Sequence, residues 1–157
     1  MDYELTEEAD VDGLQAAVRR GIRGADPPEV RARDWQPLGL ALRGRDGALV
    51  GGLYGATMWG WLMIDGVWIA EQLRGQGLGR RLVLAAEAAA VKRGCRGAWL
   101  GTFDFQSRGF YERLGYMVFA ELADFPDGHM HYHLRKSFVS AAPAGRGSRR
   151  VSNQGDE

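Results

Sequence analysis

Apolar residues change their spacing several times along this chain, and each change predicts an element. Val11, Leu14, Ala17, Val18 and Ile22 recur at helical intervals. Thr6 is placed to cap that helix, with Glu7, Glu8 and Asp10 in its first turn and Gly21 and Gly24 at its end. Residues 2–6 read as a short strand, Asp26-Pro27-Pro28 as a break, and 29–35 as a loop or short helix. Leu38 to Leu42 and Ala48 to Met58 are apolar runs joined by the turn signal Arg45-Asp46-Gly47, which predicts a hairpin. Trp61 to Ala70 predicts a third strand. From about Gly77 to Arg93 the pattern is helical and apolar on more than one side, as in a helix packed on a sheet, with Gly94 suited to its end. Ala98 to Phe103 reads as a buried strand and 106–114 as a short helix closed by Gly115. Tyr116 to Leu122 and His129 to Arg135 read as two last strands around Phe125-Pro126-Asp127-Gly128. From about Ser137 the periodicity stops, and residues 137–157 read as a disordered tail.

This order of elements predicts an α/β (α+β) domain over residues 1–136, with a mixed sheet and helices on both of its faces. Composition narrows the partners. Twenty basic residues balance twenty acidic ones in 157, so the chain has no general pull on nucleic acid or an anionic membrane. One cysteine suits a reducing compartment. The acidic start lacks the apolar core of a signal peptide, and no stretch would span a bilayer, so the expectation is a cytoplasmic protein.

The chemistry concentrates after the third strand, in Arg74-Gly75-Gln76-Gly77-Leu78-Gly79-Arg80. Three glycines in five positions between a strand and a helix let backbone N–H groups approach one point closely. The helix start adds unpaired N–H groups and partial positive charge. That arrangement suits a phosphate or pyrophosphate. The spacing is G-x-G-x-G, not the G-x-G-x-x-G of a dinucleotide fold, and no Gly-Lys-Ser/Thr follows. A tight turn without a ligand is the bland alternative.

Further on comes Phe110-Tyr111-Glu112-Arg113-Leu114-Gly115-Tyr116. Together the two segments resemble the acyl-CoA-binding and catalytic motifs of the GNAT superfamily of N-acetyltransferases. The resemblance implies that family's fold, a mixed, mostly antiparallel sheet of six to seven strands, over about residues 2–136. It implies acetyl-CoA as co-substrate, direct transfer of acetyl to a primary amine of a small molecule, and a bacterial family member of unassigned acceptor. It implies cofactor contacts at Val67, Trp68, Ile69, Arg74, Gly75, Gln76, Gly77, Leu78, Gly79, Arg80, Gln106 and Phe110. Tyr111 is implied as the acid that protonates the leaving thiolate. Asp104 stands where the family has an asparagine, and a carboxylate cannot donate as an amide does; Gln106 is the nearby substitute. Asp104 is alternatively a helix cap.

Asp65, the carboxylate within an otherwise apolar strand, is the expected base or amine anchor; the alternative is a carboxylate at a strand edge or bulge. Tyr54, Trp59 and Trp61 are candidate acceptor walls, whereas Trp68 reads as ordinary core by strand parity. His129, His131 and His133 alternate on one strand. No carboxylate or cysteine spacing supports a metal among them, so none is expected, and His129 is carried as a substrate contact. Other readings stay open: a CoA-binding sensor without turnover, a protein lysine or N-terminal acetyltransferase, and a homodimer.

Overall fold

The computed structural model describes residues 3–27 and 34–138. It divides into two compact units, Met1–Asp34 and Trp35–Glu157. The first holds helix α1 (Val11–Ala25), whose cap is Asp10: its carboxylate accepts from the Gly13 N–H at 3.0 Å. Asp10 directly precedes the first periodic apolar residue, which is where a cap belongs. Thr6 therefore does not cap the helix, residues 3–6 form no strand, and Gly21 and Gly24 lie inside the last turns. Most of the predicted segment 29–35 and the tail from 139 onward lie outside the described residues.

The second unit is a sheet of six strands: β1 (Gln36–Arg43), β2 (Leu49–Met58), β3 (Trp61–Ile69), β4 (Gly97–Phe103), β5 (Met117–Ala123) and β6 (Met130–Ser137). Their spatial order is β1-β2-β3-β4-β6-β5. Only β3 and β4 run parallel. A parallel pair needs a long crossover, and helix α2 (Leu78–Lys92) supplies it. A single turn of 3₁₀ helix (Glu71–Leu73) precedes α2, and a short helix α3 (Arg108–Arg113) joins β4 to β5. Among the described residues no helix is long and apolar enough to cross a membrane.

The core lies between α2 and one sheet face. Leu82, Val83, Ala86 and Ala90 of α2 meet Leu38, Leu53, Leu62, Ile64, Ala98, Leu100 and Leu134. Each leucine so buried contributes about 1.5–3 kcal/mol over its exposed state. Strand β6 runs on to Ser137, and Phe138 packs against the core while its N–H donates to the Arg96 carbonyl at 2.8 Å. Ser137 and Phe138 thus belong with the strand and the core.

Two polar groups tie α2 down. The Arg93 guanidinium donates to the carbonyls of Gln36 and Pro37 and to the Thr57 hydroxyl, joining the end of α2 to the hairpin. Buried Glu87 accepts from the Tyr116 hydroxyl at 3.0 Å and from Lys136 Nζ at 2.7 Å. Burial and the Glu87 charge together push the Tyr116 phenol far above its ordinary range. A carboxylate costs several kcal/mol to bury, and the cation and the phenol offset that.

Candidate active site

Strands β3 and β4 pair for only four steps, Trp61 with Gly97 through Ile64 with Leu100. Both strands then continue, β3 to Ile69 and β4 to Phe103, but they part. The first residues past the last paired step are Asp65 and Gly101. The cause is local. Tyr54 pairs with Gly66 whereas Gly55 pairs with Ile64, so Asp65 is an extra residue bulged out of β3. A bulge bends its strand and increases its twist, which carries the end of β3 away from β4.

The parting leaves a wedge-shaped cleft of 970 Å³. One wall is the free side of β3. Ala70 donates to Val50 of β2, and alternation then turns the N–H groups of Val67 and Ile69 away from β2, into the wedge. The Ile69 carbonyl on that side accepts from Arg74 Nε at 3.1 Å. Arg74 is thereby a brace between the glycine loop and β3.

The loop forms the mouth. Gly75 and Gly77 have φ near +74° and +75°, the left-handed region that glycine enters without strain. Gly77 is the cap residue of α2, so the first N–H groups of α2, from Leu78 onward, face outward unpaired. Gly79 serves differently. A side-chain carbon there would lie 3.4 Å from the Phe110 ring, so its absence lets α2 and α3 approach. Gly75, Gly77, Leu78, Gly79 and Arg80 all line the cleft, whereas Gln76 turns away and donates to the Gln72 carbonyl.

The floor is α3. Tyr111 is 8% exposed, with its ring edge-on to Phe110 and Tyr116 at 4.9 and 5.9 Å. It lines the cleft, and its hydroxyl makes no hydrogen bond among the described residues. Burial pushes the phenol above its ordinary value, so it stays protonated at neutral pH and offers a donor to the cleft. Gln106 also lines the cleft. Its Oε1 accepts from the Phe103 N–H and the Thr102 hydroxyl, both at 3.2 Å. A backbone N–H can only donate, so the amide orientation is fixed and the NH₂ group is left for a ligand.

Asp104 does not cap α3, whose N-cap is Ser107 and which has no side-chain cap. Its carboxylate instead accepts from the N–H groups of Phe105 and Met130 and bonds His129 Nδ1 at 3.1 Å, clamping the end of β4 to the start of β6. Desolvation is the largest single influence and raises its pKa, but the donors from Met130, Phe105 and His129 together outweigh it and hold the carboxyl below the usual range.

Other expected acceptor residues are not brought to the wedge. His129 is occupied by Asp104 and by an edge contact to Phe105. Trp59 sits in the β2–β3 turn, and Trp61 packs on Gly97 and Arg96 at the closed end of the paired segment. Tyr54 lies over Gly66, which does line the cleft. Trp68 is half-exposed and lines the cleft, contrary to its reading as core but in line with the cofactor contact that the resemblance implies. The bulge shifts the phase of β3, so the core positions are Leu62, Ile64, Val67 and Ile69. Sequence reasoning did not single out Gly66, Gly101 or Thr102, because no motif marks where two strands part.

A strand pair that parts over a protonated phenol, below a ring of unpaired N–H groups, suits an extended thioester with a pyrophosphate tail. The comparisons with known proteins agree. Residues 11–116 match the Acetyltransferase (GNAT) family. The chain is 42% identical to blasticidin-S acetyltransferase of Streptomyces morookaense over 102 residues, 64% of this chain and 75% of that protein. It is 31% identical to an acetyltransferase of Agrobacterium fabrum over 88% of this chain and all of that one. The crystal structure of an acetyltransferase from Bacillus cereus ATCC 14579 superimposes with a TM-score of 0.76 at 26% identity, covering 86% of this chain and 97% of its own. The chain belongs to the GNAT family of acetyltransferases, the acyl-CoA-dependent N-acyltransferases.

Proposed function

We propose that this protein transfers the acetyl group of acetyl-CoA directly to a primary amine of a small molecule, with the reaction centred where β3 and β4 part. The observation that carries this reading is the Tyr111 hydroxyl, protonated and without a protein partner among the described residues, lining that wedge. The unpaired N–H groups of the Gly75–Arg80 loop would hold the pyrophosphate. Val67 and Ile69 would pair with the amides of the pantetheine arm as a third strand would, and the Gln106 NH₂ would donate to one of its carbonyls. These contacts would lay the thioester across the wedge.

The amine nitrogen then forms a bond to the thioester carbon, the carbon–sulfur bond breaks, and the electron pair leaves on sulfur. A thiolate has a pKa of about 8.5, below that of a phenol. Tyr111 therefore stabilises the departing thiolate by a hydrogen bond, without full proton transfer. Asp65, exposed at the bulge beside the vertex, would draw in the ammonium by charge, and the amine attacks once it has lost one proton to solvent.

The similarity to blasticidin-S acetyltransferase makes antibiotic-like amines the first acceptors to try. The test is release of CoA thiol from acetyl-CoA with a panel of primary amines that includes blasticidin S. Thiol release together with acetylated amine supports the reading. Acetyl-CoA binding with no release for any amine favours a sensor without turnover.

A further inference from the structure

The wedge has two open sides. Helix α2, its capping loop and Tyr111 occupy the core face, and a cofactor held by them fills that side. The amine has the opposite face to come from. That face, at the vertex, belongs to two histidines of β6. Gly101 of β4 pairs with His133, and Phe103 pairs with His131. Gly101 lines the cleft, while its neighbours Leu100 and Thr102 bury their side chains toward the core. A side-chain carbon at position 101 would lie 2.8 Å from His131 Nε2 and 4.0 Å from His133 Cε1. The missing side chain is thus what seats the His131 imidazole over the first unpaired residue of β4. On the other arm, the first unpaired residue is Asp65.

We infer that His131 is a catalytic residue, the base that takes the proton from the amine nitrogen as it attacks the thioester, while Asp65 holds the amine without accepting its proton. This rests on the transferase reading above. Packing on three sides holds the His131 ring in place, against Phe103 at 4.5 Å, Phe125 at 5.8 Å and His133 at 4.7 Å. The titratable groups around it are His133 on its own strand and the Asp104–His129 pair at the end of β4; β5 presents Leu122 beside it in the pairing, and Asp65 stands on the other arm of the wedge. Partial burial, then the His133 charge, keep His131 below the usual histidine value, so it is neutral and able to accept a proton at pH 7.

Chemistry favours the imidazole over the carboxylate. An alkylammonium ionises near pH 10 and a carboxylic acid near pH 4, so a carboxylate makes a good ion pair and a poor acceptor. As the nitrogen–carbon bond forms, the nitrogen's proton becomes acidic, and a base titrating nearer the working pH removes it more efficiently. The proton ends on His131 Nε2 and is later lost to water. The sulfur leaves as the thiolate, held by a hydrogen bond from the Tyr111 hydroxyl, which keeps its proton.

The test compares wild type, His131→Gln and Asp65→Asn in single-turnover acetylation of the fastest amine of the panel, as a function of pH. Retained stabilisation by acetyl-CoA in each variant shows that the fold and cofactor site persist. The expectation for His131→Gln is a loss of about 10²–10⁴-fold and of the acidic limb of the profile. Asp65→Asn should keep the limb and weaken amine binding. His131→Ala should recover rate when imidazole is added. A His131→Gln variant with the wild-type rate and limb, or a slower one whose limb is unchanged and whose alanine counterpart imidazole does not rescue, would overturn the inference and leave the transferase reading standing. A wild type that binds acetyl-CoA and acetylates no amine would overturn the transferase reading and this inference with it.

Discussion

At Gln106 one side chain combines two roles that a shorter residue could not. Its oxygen is held by the Phe103 N–H and the Thr102 hydroxyl, and this turns its NH₂ to the cleft. Asp104, at the family's asparagine position, commits its carboxylate to Phe105, Met130 and His129. The donor lost at 104 is thus available again two residues on. Gln106→Glu separates the roles, since a carboxylate still accepts from Phe103 and Thr102 but donates nothing. Acetyl-CoA should bind it about ten- to a hundredfold more weakly by calorimetry, the effect of removing one ligand hydrogen bond and leaving an acceptor in its place. Unchanged affinity would remove Gln106 from the site. At this scale the sequence was informative for Tyr111 and Gln106, which line the cleft, and not for Gln76, which turns away from it. It was uninformative for Gly101 and His131, whose relation depends on cross-strand pairing.

Among the elements, β3 shows where local patterning runs out. Strict alternation puts Trp68 on the core face and Asp65 on the opposite one. One bulged residue reverses the phase beyond it, and the register shift that produces it is visible only against β2. The glycine loop was the most legible element, because Gly75 and Gly77 need a backbone that other residues enter at a cost. That cost complicates a mutational test: any side chain at Gly77 is strained by its φ of +75°. Gly77→Asn and Gly77→Asp share the strain and differ in charge. With the wild-type melting shift on adding acetyl-CoA as reference, Asn should retain most of it and Asp should lose it, because only Asp sets a negative charge where the pyrophosphate would sit. Equal shifts in the two variants would mean that no phosphate binds there.

For the molecule as a whole, the order of elements and the alternation of apolar residues sufficed for the mixed sheet, the crossover helix and the hairpin. The N-terminal unit was less legible, because both Thr6 and Asp10 are capping residue types ahead of the apolar pattern, and the structure uses Asp10 rather than Thr6. The buried Glu87–Tyr116–Lys136 set was missed, since a single glutamate in an alanine-rich helix reads as its solvated side until β6 brings Lys136 over it. The wedge was also beyond reach: it arises from two strands, paired from Trp61 with Gly97, that stop pairing after four steps.

The central claim, that this wedge transfers acetyl with Tyr111 donating to the leaving sulfur, is tested most directly by single-turnover acetylation with Tyr111→Phe. The substitution keeps the ring that packs on Phe110 and Tyr116 and removes only the hydroxyl. Acetyl-CoA affinity should be unchanged and the transfer rate about 10²–10⁴-fold lower. Because burial holds the Tyr111 phenol above its ordinary value, it remains protonated throughout, and the deficit should be the same from about pH 6 to about pH 9. A Tyr111→Phe protein that transfers acetyl at the wild-type rate would contradict the claim.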